Sequence, residues 1–101
     1  MERKVIYSDN ALDDIDRLYQ FLYYKNPNAA NRAVQVIRRK IDELTVFPYI
    51  GKKVKGSNVR RDLIIPFGKT GYIARYRIFS EELLILAIKH QLELGDDIWL
   101  K

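Results

Sequence analysis

The stretch RRDLIIPFGKTGYIARYRI, residues 60–78, decides the fold. Upstream of it, apolar residues recur every three or four positions, the period of a helix. From about Val59 they alternate, the period of a strand with one covered face. Leu63-Ile64-Ile65 reads as one strand and Tyr72 to Phe79 as the next, with Pro66 to Gly71 turning between them. Ser80-Glu81-Glu82 turns again into a third strand, Leu83 to Lys89. Loops this short join antiparallel neighbours.

Working back toward the N-terminus, residues 49–58, YIGKKVKGSN, hold two glycines and three lysines and read as an exposed loop. Before them lie two helical stripes. Ala30, Ala33, Val34, Ile37, Ile41 and Leu44 form one, opened by Asn26-Pro27 and closed by Pro48. Asn26 can cap, and Pro27 suits a first helical position, where its missing N–H costs nothing. Leu12, Ile15, Leu18, Tyr19 and Leu22 form the other, preceded by the cap-forming run Ser8-Asp9-Asn10 and ending near Lys25. Asp13, Asp14 and Asp16 crowd its first turns, where the helix dipole favours anions. Val5-Ile6-Tyr7 is a short strand at the start. The expected architecture is α+β, in the order β-αα-βββ, with an antiparallel helical hairpin on a small antiparallel sheet. One domain should span residues 1–101. The tail QLELGDDIWLK, 91–101, is open between a frayed helical turn, a last strand and a flexible end.

Composition narrows the chemistry. The chain has 101 residues, 48% of them hydrophobic, enough for a globule with a thin core. It has no cysteine, which excludes a disulfide framework, a thiol nucleophile and a cysteine-based metal site. No apolar stretch approaches a bilayer span and none reads as a signal peptide, so a cytoplasmic protein away from membranes is expected. Formal net charge is +5, which draws anionic partners and is also ordinary for solubility.

His90 is the only histidine, so a two-histidine metal site cannot form and no metal is expected. A catalytic acid or base is chemically open to it. The plainer reading is a strand-end histidine bonded to a neighbour. The five glycines match neither dinucleotide-binding nor P-loop spacing, and no cofactor is expected. Cations are more abundant. Lys52, Lys53, Lys55, Arg60 and Arg61 fall close together, and Arg75 and Arg77 share one face of the following strand. They read as a partner-binding basic patch or as a solvated face. Tyrosine is frequent, at 7 residues, and Tyr72 and Tyr76 share a strand face. Such rings serve interfaces or fill the core.

The order and spacing of ALDDIDRLYQFL, NPNAANRAV, IDELTVFPYIGKK, RRDLIIPFGKTGYIARYRI and LLILAIKHQ together carry a resemblance. Over nearly its whole length the chain resembles the RelE/ParE superfamily of toxins from bacterial type II toxin–antitoxin modules, most closely the ParE branch. The resemblance implies the β-αα-βββ fold and neutralisation by a cognate antitoxin with an extended, often acidic segment. It implies one of two targets. ParE-type members act on DNA gyrase by contact, whereas RelE-type members cleave mRNA in the ribosome. In the RelE pattern, lysines alternate on the strand before the Gly-Tyr turn, an arginine follows that Gly-Tyr, and another lies past the last strand. The matching positions here are Ile64, Pro66 and Ile73, and the last arginine falls near Glu93. In-line cleavage needs a base, an acid and cations for the phosphorane, so the resemblance favours a gyrase inhibitor with no reaction of its own. The alternative is a nuclease working through His90, with Arg61 or Arg77 on phosphate. For target binding the expected patch is Lys52, Lys53, Lys55, Arg60, Arg61, Arg75 and Arg77. For the antitoxin, the expected contacts are Tyr19, Tyr23, Arg38, Arg61 and Tyr76.

Overall fold

A computed structural model describes residues 2–93. Strand β1 (Lys4–Tyr7) leads into helices α1 (Asp9–Lys25) and α2 (Pro27–Asp42). A 3-10 turn at Glu43–Thr45 follows, then β2 (Lys52–Lys53), β3 (Arg60–Phe67), β4 (Thr70–Ile78), β5 (Glu82–His90) and a last 3-10 turn, Gln91–Glu93. Residues 94–101, most of the sequence tail, lie outside the described region.

The helices start where their caps dictate. Ser8 Oγ accepts the Ala11 N–H and Asn26 Oδ1 accepts the Ala29 N–H, with Pro27 in the first turn of α2. The buried stripe of α2 is Ala30, Ala33, Ile37 and Ile41, as its spacing requires. In α1 the stripe is Ala11, Asp14, Ile15 and Leu18. Leu12 is 45% exposed, not on the packed face as its apolarity suggests, because Ala11 is the residue in phase with Ile15 and Leu18.

The sheet has five strands in the order β1-β5-β4-β3-β2. It is mixed, not wholly antiparallel. β1 runs parallel to β5, pairing Val5 with Leu83 and Tyr7 with Ile85, while the other neighbours are antiparallel. The expected loop 49–58 contains β2, which pairs Lys52 with Asp62 and Lys53 with Arg61. The turn between β3 and β4 is tighter than the sequence suggests, because Phe67 pairs with Thr70 and leaves only Gly68-Lys69 between them. Gly68 takes a positive φ of 62°, which two-residue hairpin turns demand. Gly71 lies against Pro66, where a Cβ would collide with the Ile65 carbonyl oxygen.

Both helices cover one face of the sheet. Leu63, Ile65, Tyr72, Ala74, Tyr76, Leu83, Ile85 and Ile88 meet Ile15, Leu18, Ile37, Ile41 and Leu44 in one core. β1 pairs with β5 only as far as Ile85. Beyond it, α1 finishes the edge with side chains. Ser8 Oγ and Asn10 Nδ2 donate to the Leu86 carbonyl, and the Ile88 N–H donates to Asp14 Oδ2 at 2.8 Å. Leu86 is the extra residue where the β4–β5 register shifts between Arg75 and Tyr76.

Candidate functional site: the open face of the sheet

Alternation places Arg60, Asp62, Ile64 and Pro66 of β3 with Ile73, Arg75 and Arg77 of β4 on the face that the helices leave open. Register sorts them into pairs lying side by side: Ile64 with Ile73, Asp62 with Arg75, and Arg60 with Arg77. The first is apolar, and Ile64 is 55% exposed. The second is a bidentate ion pair, Arg75 Nε to Asp62 Oδ1 at 2.8 Å and Nη2 to Oδ2 at 3.0 Å. The third sets two arginines at paired positions of the ladder.

The expected basic patch is thereby divided. Lys52, Lys53, Lys55 and Arg60 are exposed. Arg75 is spent on Asp62 and only 12% of its side chain meets solvent, so it is no open cation. Arg61 points to the helix-covered side of β3. It donates to the carbonyls of Tyr49 at 3.1 Å and Gly51 at 2.7 Å and lies over the Tyr49 ring, pinning the chain that enters β2. Arg77 lies over the Phe79 ring, 4.6 Å from its centroid.

The expected antitoxin contacts divide as well. Tyr19 and Tyr23 stack along α1 with centroids 5.7 Å apart, and Tyr23 is 47% exposed. Arg38 is exposed on α2, over the ring of Tyr7. Tyr76 is a correction, since it is wholly buried and offers no ring to a partner. Its hydroxyl donates to the Pro48 carbonyl at 2.8 Å and accepts the Gly51 N–H at 3.0 Å. Arg61, held by carbonyls beside it, is a lock for the same segment. Burial raises the Tyr76 pKa above its ordinary value, against the lowering effect of the Gly51 N–H and the Arg61 charge. Burial likewise raises Tyr72 and Tyr7.

His90 lies opposite Tyr72, on the covered side. Its Nδ1 accepts the Leu92 N–H at 3.1 Å, which leaves the proton of the neutral ring on Nε2, 2.9 Å from Thr70 Oγ1. The Tyr72 ring meets it edge-on. Here β4, β5 and α1 enclose a cleft of about 360 Å³, lined by Leu18, Phe21, Leu22, Tyr72, His90 and Leu92. Glu93 turns back, with Oε1 accepting the His90 N–H and Oε2 pairing with Arg17. His90 and Arg77 therefore occupy opposite faces. Arg61 lies opposite Tyr76, four residues along β4 from Tyr72 and so roughly 13 Å away along the strand. The structure does not bring His90 together with either arginine. Asp14, expected only to favour the helix dipole, is a buried group of the scaffold that holds the Ile88 N–H and Lys89. Its burial was legible only in its phase with Ala11 and Leu18.

Among the described residues no cluster of acidic or histidine side chains could hold a metal ion. None of the described helices is long and apolar enough to cross a membrane.

Two helices on this five-stranded mixed sheet are the architecture of small toxins of the RelE/ParE type. The P. aeruginosa chromosomal ParDE toxin–antitoxin structure superposes with a TM-score of 0.74 at 22% identity, covering 88% of this chain and 96% of that one. A free-state mutant of E. coli RelE superposes at 0.61 and 14% identity, covering 87% and 82%. In sequence, Caulobacter vibrioides toxin RelE1 is 34% identical over 88% of this chain and 94% of its own length. Toxin RelE3 of the same organism is 32% identical over 79% and 85%. Residues 5–95 match the model of the ParE toxin of the type II toxin–antitoxin system parDE, and the chain belongs to that family. Membership implies a cognate antitoxin partner.

Proposed function

We propose that this toxin arrests growth by binding DNA gyrase through protein–protein contact, with no chemical step of its own. One observation carries the reading. Where RelE-type nucleases carry cations on the open sheet face, this chain carries the Ile64–Ile73 pair and Pro66. An aliphatic pair cannot stabilise charge on a phosphorane, but a half-exposed one suits a protein contact. Glu93, near where the last nuclease arginine falls, adds negative charge and is folded back onto the His90 N–H.

The test is to induce the toxin without its antitoxin and follow DNA-damage signalling beside translation rate. Early DNA damage with translation continuing is expected, along with inhibition of supercoiling by the purified protein. Gyrase left untouched at micromolar excess removes the proposal.

A second reading, ribosome-dependent mRNA cleavage, draws on the relatives named RelE1 and RelE3 and on His90. It requires His90→Ala to abolish both arrest and transcript cleavage. Under the gyrase reading the folded H90A variant still arrests growth, because the imidazole ties Thr70 to Leu92 and meets the Tyr72 ring, all contacts within the fold.

A further inference from the structure

We infer that Arg60 and Arg77 form a binding site for a backbone phosphate of nucleic acid, at the end of the open face away from the β3–β4 turn. Three observations converge. Register places the two residues directly opposite, where like charges destabilise a sheet. No carboxylate among the described residues lies within ion-pair distance of either, although the adjacent Arg75 is saturated by Asp62. And the Arg77 Nε–H is shielded from solvent without an acceptor, so no partner within the described chain uses that donor.

The geometry also selects the anion. In the neighbouring pair one guanidinium fork takes both oxygens of one carboxylate. Two arginines at paired positions suit an anion with more than two oxygens, which both can share, and phosphate supplies it. The Phe79 ring under Arg77 fixes the plane of that guanidinium. Arg60 is exposed and Lys52 lies on the same face through its pairing with Asp62, so a strand of phosphates has room to approach and a further cation to meet. The site goes beyond gyrase contact and does not depend on it. It lets the toxin touch nucleic acid directly, whatever protein it inhibits.

The test measures fluorescence anisotropy of the full chain with a labelled DNA duplex and an RNA hairpin over a salt series. Arg60→Gln, Arg77→Gln and the distant control Lys25→Gln are compared, each checked by circular dichroism. Binding of either nucleic acid should weaken about tenfold in R60Q, the loss of one charge-assisted bond, and its salt slope should fall by about one. K25Q should match the parent. Preference between duplex and hairpin identifies the source of the phosphate. Binding that ignores R60Q and R77Q, capture of poly-glutamate in place of nucleic acid, or no binding at low salt would each overturn the inference. Because Arg60 is exposed, R60Q decides the matter even if R77Q fails to fold.

Discussion

Tyr76 shows how one hydroxyl can fix a connection. It bridges the Pro48 carbonyl and the Gly51 N–H, and a side chain on Gly51 would strike its ring. Tyr76→Phe keeps the ring but strands the Gly51 N–H in a dry site, so stability should fall by about 1–3 kcal/mol in urea unfolding. The neighbouring lock, Arg61, should then matter more, and R61Q with Y76F should be non-additive. Alkali probes the same hydroxyls. Tyr7, Tyr72 and Tyr76 have raised pKa values, chiefly through burial. In the unfolded chain they ionise near pH 10, and in the folded protein only above it. Above pH ~10 the unfolded state therefore holds fewer protons, and stability falls as pH rises. Their contribution is intact below that pH. Melting temperature should drop above pH ~10, and tyrosinate absorbance from these three should appear together with unfolding. Sequence could say that Tyr72 and Tyr76 share a face, because strands alternate. It could not say that the face was the covered one, since tyrosine suits both sides.

At the scale of elements, α1 does two jobs, packing on the sheet and completing its edge. Asp14 is 5% exposed, accepts the Ile88 N–H and pairs with Lys89 Nζ at 3.0 Å. Asp14→Ala leaves a buried amide and a cation without their acceptor and should cost about 2–5 kcal/mol. Asp14→Asn keeps an acceptor for the amide and should cost less than half as much. Hydrogen exchange reads the difference locally, with the Ile88 amide fast in D14A and slow in D14N. The helices themselves were legible because caps and period agree: Ser8 and Asn26 stand where the structure uses them. The edge was not legible. Asp13, Asp14 and Asp16, which lie past the first turn of a helix that begins at Asp9, look alike in sequence, and only the place where β1 ends singles out Asp14. The open face was half legible. The shared side of Arg75 and Arg77 follows from alternation, whereas the capture of Arg75 by Asp62 depends on β3 reaching back past Leu63, so that Asp62 lies opposite Arg75 in the ladder.

At the scale of the molecule, the first strand is a neighbour of the last. β1 pairs in parallel with β5, Val5 beside Leu83, so the sheet closes only when the chain has returned to its start. Periodicity carries no information about such a partner, which is why the sequence yields a strand at Val5 but not its place. The consequence is a fold that depends on β5 for its stability. Leu83, Ile85 and Ile88 of β5 are each fully buried between β4 and the helices. Burying a large aliphatic side chain contributes about 1.5–3 kcal/mol, so the three together supply roughly 5–9 kcal/mol. That rivals the whole net stability of a small domain, about 5–15 kcal/mol. A fragment ending at residue 81 also loses the partners of β1 and leaves one edge of β4 unpaired, a template for aggregation. It should therefore lack amide dispersion in NMR and show no cooperative melt. Adding a peptide of residues 82–93 in excess should restore both, because the missing strand has an unfilled slot between β1 and β4. A cooperative melt in the fragment alone would mean that α1, α2 and β2–β4 hold together without the strand that joins the two ends of the chain.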